Sequence, residues 1–151
     1  MKRFRFRLQS LLLLRELRES QAAHVLAQKL EHQKRLEQDL AQAQARSESA
    51  RARLYQAEGK RFAAQDQAAA LADFDRTLAL EAASEKALQA HEKPLAMARQ
   101  AWAEAGRDVK VVSNLKGKAE ERHRHEAARS EQAQMDEAAS RIVGGSLSVL
   151  S

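Results

Sequence analysis

The 151-residue chain has no cysteine. That excludes disulfides, thiol nucleophiles and cysteine-ligated zinc, and it fits the cytosol. One proline and five glycines leave little to punctuate long helices. Aromatic residues make up 4% of the chain, too few large side chains for a thick globular core. No apolar run approaches the ~20 residues that a membrane-spanning helix needs. The Met-Lys-Arg start is followed by Leu11–Leu14, but that run stops at Arg15-Glu16, too short for a secretory core. Any membrane role is therefore expected to be peripheral.

What is abundant is alanine, glutamine, glutamate, arginine and leucine, with 31% of residues charged. Leu88, Leu95, Trp102 and Val109 recur every seventh residue, and Ala98, Ala105, Val112 and Ala119 form a second sevenfold series. Together they make an a/d seam, which needs a partner helix to be buried. The first half of the chain offers one. Leu8, Leu12, Ala22, Leu26, Leu36, Leu40, Ala43, Ala50, Leu54, Ala57, Ala64, Ala68 and Leu71 follow the same spacing, interrupted by Arg15, Glu19, Lys29, Gln33 and Arg61. Trp102 occupies an a position and is expected in the core.

The expected fold is all-α: a long two-helix antiparallel coiled-coil hairpin forming a single domain over residues 1–151. Helix 1 is expected at about 8–71 and helix 2 at about 77–142. A start between Phe6 and Ser10 fits the first helix, and Gly59 is a tolerable cost inside it. The turn is placed near residues 70–78, because Asp73-Phe74-Asp75-Arg76-Thr77 carries side chains that compete with the helix and favour caps. Pro94 is a rival breakpoint, but Leu88 and Leu95 share one seam across it, which favours a kink in a continuing helix. Gly144-Gly145 reads as a stop, leaving 144–151 as a short mobile tail.

The formal net charge is +5. Residues 1–18 hold Lys2, Arg3, Arg5, Arg7, Arg15 and Arg18 against Glu16 alone, so the excess sits there. Lys110, Lys116, Lys118, Arg122, Arg124 and Arg129 form a second cluster, offset by Glu120, Glu121 and Glu126. Antiparallel helices bring both clusters to one end. A basic end suits an anionic partner, whether protein, nucleic acid or lipid surface; a solvated end that keeps the protein soluble is the plain alternative.

No constellation for chemistry emerges, so no catalytic, cofactor or metal residues are assigned and enzyme activity is not expected. His125-Glu126 lacks the second histidine of a zinc-protease helix, since position 129 is Arg. His123 and His125 fall on different helix faces, and His24 and His32 stand alone. Gly117-Lys118 lacks the upstream glycine of a phosphate loop, position 112 being Val. Two features lie off the seam. Phe62, Phe74, Leu78 and Leu80 gather round the expected turn, as a docking spot or as a cap on the coil. Leu11, Leu13, Leu14 and Leu17 surround the first helix on more than one side, so that segment is expected to enter something larger.

The opening Phe4-Arg5-Phe6-Arg7-Leu8-Gln9-Ser10-Leu11-Leu12-Leu13-Leu14-Arg15-Glu16 resembles the start of the FliJ family of flagellar export accessory proteins, with its F-R-F-R-L-x-x-L-L-x-L-R-E pattern. Leu115-Lys116, Glu120-Glu121-Arg122, Glu131-Gln132 and Met135-Asp136-Glu137-Ala138 resemble the family's C-terminal stretch. Ala133 stands there in place of the usual lysine, and Gly117 falls within the segment. The resemblance implies a cytoplasmic component of the flagellar type III export apparatus, peripheral at the inner membrane. It implies binding to the hexameric export ATPase as a central stalk, contact with the cytoplasmic part of the export gate, and escort of export chaperones. The expected ATPase-ring contacts are Phe4, Arg5, Phe6, Arg7, Leu11, Leu14, Arg15, Arg18, Arg122, Arg124 and Arg129. Phe62, Phe74 and Leu78 are the expected gate contact, on exposure alone. The alternatives are the equivalent stalk of a virulence-type secretion system and a nucleic-acid-binding coiled coil with Phe4 and Phe6 as stacking groups. No nucleic acid is expected on the main reading.

Overall fold

The computed structural model describes residues 2–58 and 64–149, apart from the side chains of 57 and 58. Helix α1 spans Gln9–Glu58 and α2 spans Ala64–Val149. The expected all-α, two-helix antiparallel hairpin is what the chain forms. No strand occurs among the described residues. The start of α1 agrees with the sequence reading: Gln9 N–H donates to the Phe6 carbonyl at 3.2 Å, and Leu12 N–H donates to Leu8 at 3.0 Å.

Contacts divide the chain into two compact units, residues 1–19 with 105–151, and residues 20–104. Within the second unit the seam of α1 runs through Ala22, Leu26, Lys29, Gln33, Leu36, Leu40, Ala43, Ser47, Ala50 and Leu54, all buried or half-buried. That is an unbroken 3–4 alternation, so the polar residues that interrupt the apolar pattern occupy the seam rather than break it. The facing seam on α2 runs from Phe74 through Thr77, Glu81, Ser84, Leu88, His91 and Leu95 to Ala98. Lys29 faces His91, Ser47 faces Glu81 and Arg53 faces Asp73, so α2 numbers fall as α1 numbers rise. The tightest burial is at Ala50, 2% exposed. Small residues there let the two backbones approach.

Within the first unit, Leu12 on α1 and Val112 on α2 are buried, with Val109 and Ala119 half-buried beside them. The Arg15 guanidinium meets the Asp108 carboxylate at 2.7 Å. The buried Arg15 Nε has no hydrogen-bond partner among the described residues. The Oε1 of Glu19 lies where a Cβ on Gly106 would touch it, at 3.5 Å.

Four expectations are corrected. Residues 70–78 are helical and lie inside α2, and helix 1 ends by Glu58 rather than at 71. Thr77 Oγ1 donates to the Phe74 carbonyl at 2.7 Å within the helix, and Asp73 makes a long, solvent-exposed ion pair with Arg53 at 3.9 Å. Ala64, Ala68 and Leu71 therefore belong to α2, where all three are exposed. Gly59, Arg61 and Phe62 fall outside the described residues.

Secondly, α2 does not stop at Gly144-Gly145 but runs on to Val149. A glycine stop depends on a left-handed residue, and no described glycine has positive φ. Ser146 and Ser148 hydroxyls donate to the carbonyls three residues back, satisfying part of the last turn. Gly117 likewise lies within continuous helix. Thirdly, Trp102 is 46% exposed despite its a position. Finally, Leu8, at 38% exposed, is not a core residue either. Pro94 is inside α2 and exposed, so the helix continues past it as expected.

Candidate functional site

The first unit brings together both basic clusters, residues 2–18 and 110–129. Antiparallel pairing does this directly. The His123 Nε2–H donates to the Lys2 carbonyl at 3.2 Å, and the Phe4 ring meets the His123 ring edge-on at 5.4 Å. Phe4 and Phe6 are therefore half-buried, anchoring the segment that precedes α1, while Arg5, Arg7 and Arg18 are exposed. Arg122, Arg124 and Arg129 are exposed on α2. Arg15 differs from the other cations because Asp108 neutralises it.

The Arg15–Asp108 pair closes one edge of this unit. Heptad position places Leu11 and Leu14 of α1 along that edge with Val111 and Leu115 of α2. Leu14 is 44% exposed, Val111 60% and Leu115 42%. Arg7, Arg18, Lys118 and Arg122 occupy the adjoining positions. The result is a set of exposed apolar residues with a cationic border.

The second unit holds the described residues of the other expected contact. Phe74 is half-buried at a seam position and Leu78 is 43% exposed. Both line a shallow groove of about 430 Å³ with Gln44, Ser47, Glu48, Arg51 and Glu81. Neither sits at a turn, so the idea of a tip cluster is replaced by a groove along the flank of the coil.

Residues that the sequence reading passed over include His91, Ser47 and Glu81. His91 is buried, its Nε2–H donates to the Lys29 carbonyl at 2.8 Å, and its ring meets His32 edge-on at 4.8 Å. His32 is therefore not isolated, and His24 accepts from Gln28 Nε2 at 3.2 Å. Ser47 Oγ lies 2.7 Å from Glu81 Oε2 and 2.9 Å from the Gln44 carbonyl; its single proton serves one acceptor at a time. The signal was available: each falls at a 3–4 step of the seam, where a polar residue must find a partner. Among the described residues no group of three or more His, Asp or Glu side chains is placed to hold a metal.

The flagellar FliJ protein family model matches residues 4–148. The chain belongs to the flagellar FliJ protein family. No curated protein and no solved structure matches it. The family is a non-enzymatic accessory family of flagellar protein export. For this FliJ-family chain the match spans both units and all the candidate contacts above. Among the described residues no helix is long and apolar enough to cross a membrane.

Proposed function

We propose that this chain binds the hexameric flagellar export ATPase through its first unit as a central stalk, promotes ring assembly and turnover, and links the ring to the export gate and export chaperones. The observation that carries this reading is the meeting of the two basic clusters around exposed leucines in one unit. Several ATPase subunits gripping one stalk favour the assembled ring by mass action. A stalk that binds subunits unequally biases their states, which is the thermodynamic content of coupling. The groove holding Phe74 and Leu78 is the proposed gate contact. In this role the protein works at the cytoplasmic face of the inner membrane.

The flagellar family match favours a flagellar over a virulence-type system. Phe4 and Phe6 are half-buried, with Phe4 against His123, so they are poorly placed to stack on bases, which weakens the nucleic-acid alternative.

The test is charge reversal at Arg5, Arg7 and Arg18, which are exposed, with Arg15 left alone because Asp108 holds it. The triple variant is expected to keep its helicity and to lose stimulation of ATPase turnover and hexamer formation. Stimulation at the wild-type level would overturn the proposal.

A further inference from the structure

The leading segment covers α2 without joining the coil. On α2 the buried and half-buried positions continue from Val112 through Lys116 and Ala119 to His123, in the 3–4 steps that mark the seam elsewhere. Helix α1 starts only at Gln9. Residues 2–6 have no regular structure, and a turn at 7–8 closes where the Gln9 N–H meets the Phe6 carbonyl at 3.2 Å. His123 is therefore covered by the leading segment and not by helix. Lys2 reaches it through its carbonyl at 3.2 Å, and Phe4 through its ring at 5.4 Å. Phe6 lines a shallow groove with Phe4, Gln9, Lys116 and Glu120.

The register of α1 explains why the helix starts no earlier. Carried back from Glu19, its seam steps through Arg15, Leu12 and Leu8 to Arg5. A longer helix would aim a cation into the seam and leave Phe4 and Phe6 about 100° to either side of it. Burial in the segment alternates instead: Phe4 and Phe6 are half-buried, while Arg3, Arg5 and Arg7 are exposed. A period of two belongs to an extended chain, not to a helix. The two rings thus decide where the arginines stand. Detached from α2, residues 2–8 would sample many conformations, and the arginines would have no fixed place.

We propose, resting on the export reading above, that Phe4, Phe6 and His123 are positioning residues. They dock the leading segment on α2 so that Arg5 and Arg7 meet the ATPase from fixed places, and neither phenylalanine ring touches the ATPase. Loss of docking leaves the arginines present but unplaced. When only a fraction of the molecules is binding-competent, apparent affinity falls by that fraction while the bound state is unchanged. The signature is a higher stalk concentration at half-maximal ATPase stimulation, with maximal stimulation kept.

Titrating ATPase stimulation with full-chain variants, beside NMR of the free chain, tests this. Nuclear Overhauser contacts between the Phe4 and His123 rings are expected in the free chain. Phe4→Ser with Phe6→Ser is expected to raise the half-maximal concentration about tenfold, with maximal stimulation unchanged. Helicity is expected to stay the same, because both residues precede α1. His123→Ala is expected to shift the half-maximal concentration in the same direction. Its effect should not add to that of Phe4→Ala, since the two remove one contact. Phe4→Tyr keeps the ring and is expected to behave as the wild type. Absence of the ring contact in the free chain overturns the proposal. So does an unchanged half-maximal concentration in the double variant. A lost maximum in that variant with His123→Ala silent also overturns it, because the phenylalanines would then be direct contacts. If reversal of Arg5, Arg7 and Arg18 leaves stimulation intact while the ring contact is present, the export reading itself fails and the positioning role falls with it.

Discussion

Replacing Ser47 and Glu81 separately and together probes whether the polar seam packs as described. Both occupy seam positions of the second unit, with Oγ and Oε2 2.7 Å apart. A hydrogen bond to a charged acceptor contributes about 1.5–3 kcal/mol, but this one borders an open groove, so the lower end applies. Ser47→Ala should therefore cost about 1.5 kcal/mol. Ser47→Leu alone should cost about as much, because Glu81 loses its donor while the new side chain faces a carboxylate. The double variant Ser47→Leu with Glu81→Leu is different. Each leucine gains roughly half of the ~1.5–3 kcal/mol that full burial brings. After subtracting the lost hydrogen bond, the pair should be more stable than the wild type by about 1 kcal/mol. Urea unfolding followed by helical circular dichroism measures all three, and the cycle isolates the coupling. If the double variant is less stable than either single one, the two residues do not face each other across a seam, and the pairing of α1 with α2 in this unit is wrong.

Two further substitutions test the packing. Ala50→Leu should destabilise by about 1–3 kcal/mol in the same assay, because the residue is 2% exposed and the backbones leave no room; an unchanged midpoint would show that the helices are loosely apposed. Pro94→Ala should stabilise by up to about 3 kcal/mol, since the proline is exposed and inside a helix, where it lacks a donor and crowds the preceding turn. A loss of stability would mean that the proline shape is required there.

The two-helix pairing was legible because the 3–4 alternation is a local property of the helix, visible wherever enough positions carry leucine or alanine. The start of α1 and the continuity across Pro94 were legible on the same grounds. The connection was not. Asp73 and Thr77 carry turn chemistry, but Thr77 bonds back to the Phe74 carbonyl within α2 and Asp73 faces Arg53 of α1 at 3.9 Å, a pairing that only packing reveals. The glycines at 144 and 145 mislead in the same way: a stop requires positive φ, which sequence permits but does not impose.

The candidate site divides similarly. That residues 2–18 and 110–129 belong to one unit follows from charge counting and antiparallel pairing. That Phe4 is an anchor against His123, that Arg15 is neutralised by Asp108, and that Phe74 lies on a flank required coordinates.

Sequence by itself determined that two long helices would form and pair, because periodicity and helix propensity act within a few turns of each residue. Tertiary structure alone decided the register. A seam so rich in alanine and polar residues offers several near-equivalent alignments, and the choice among them rests on pairs far apart in the chain: Ser47 with Glu81, Lys29 with His91 and Arg15 with Asp108.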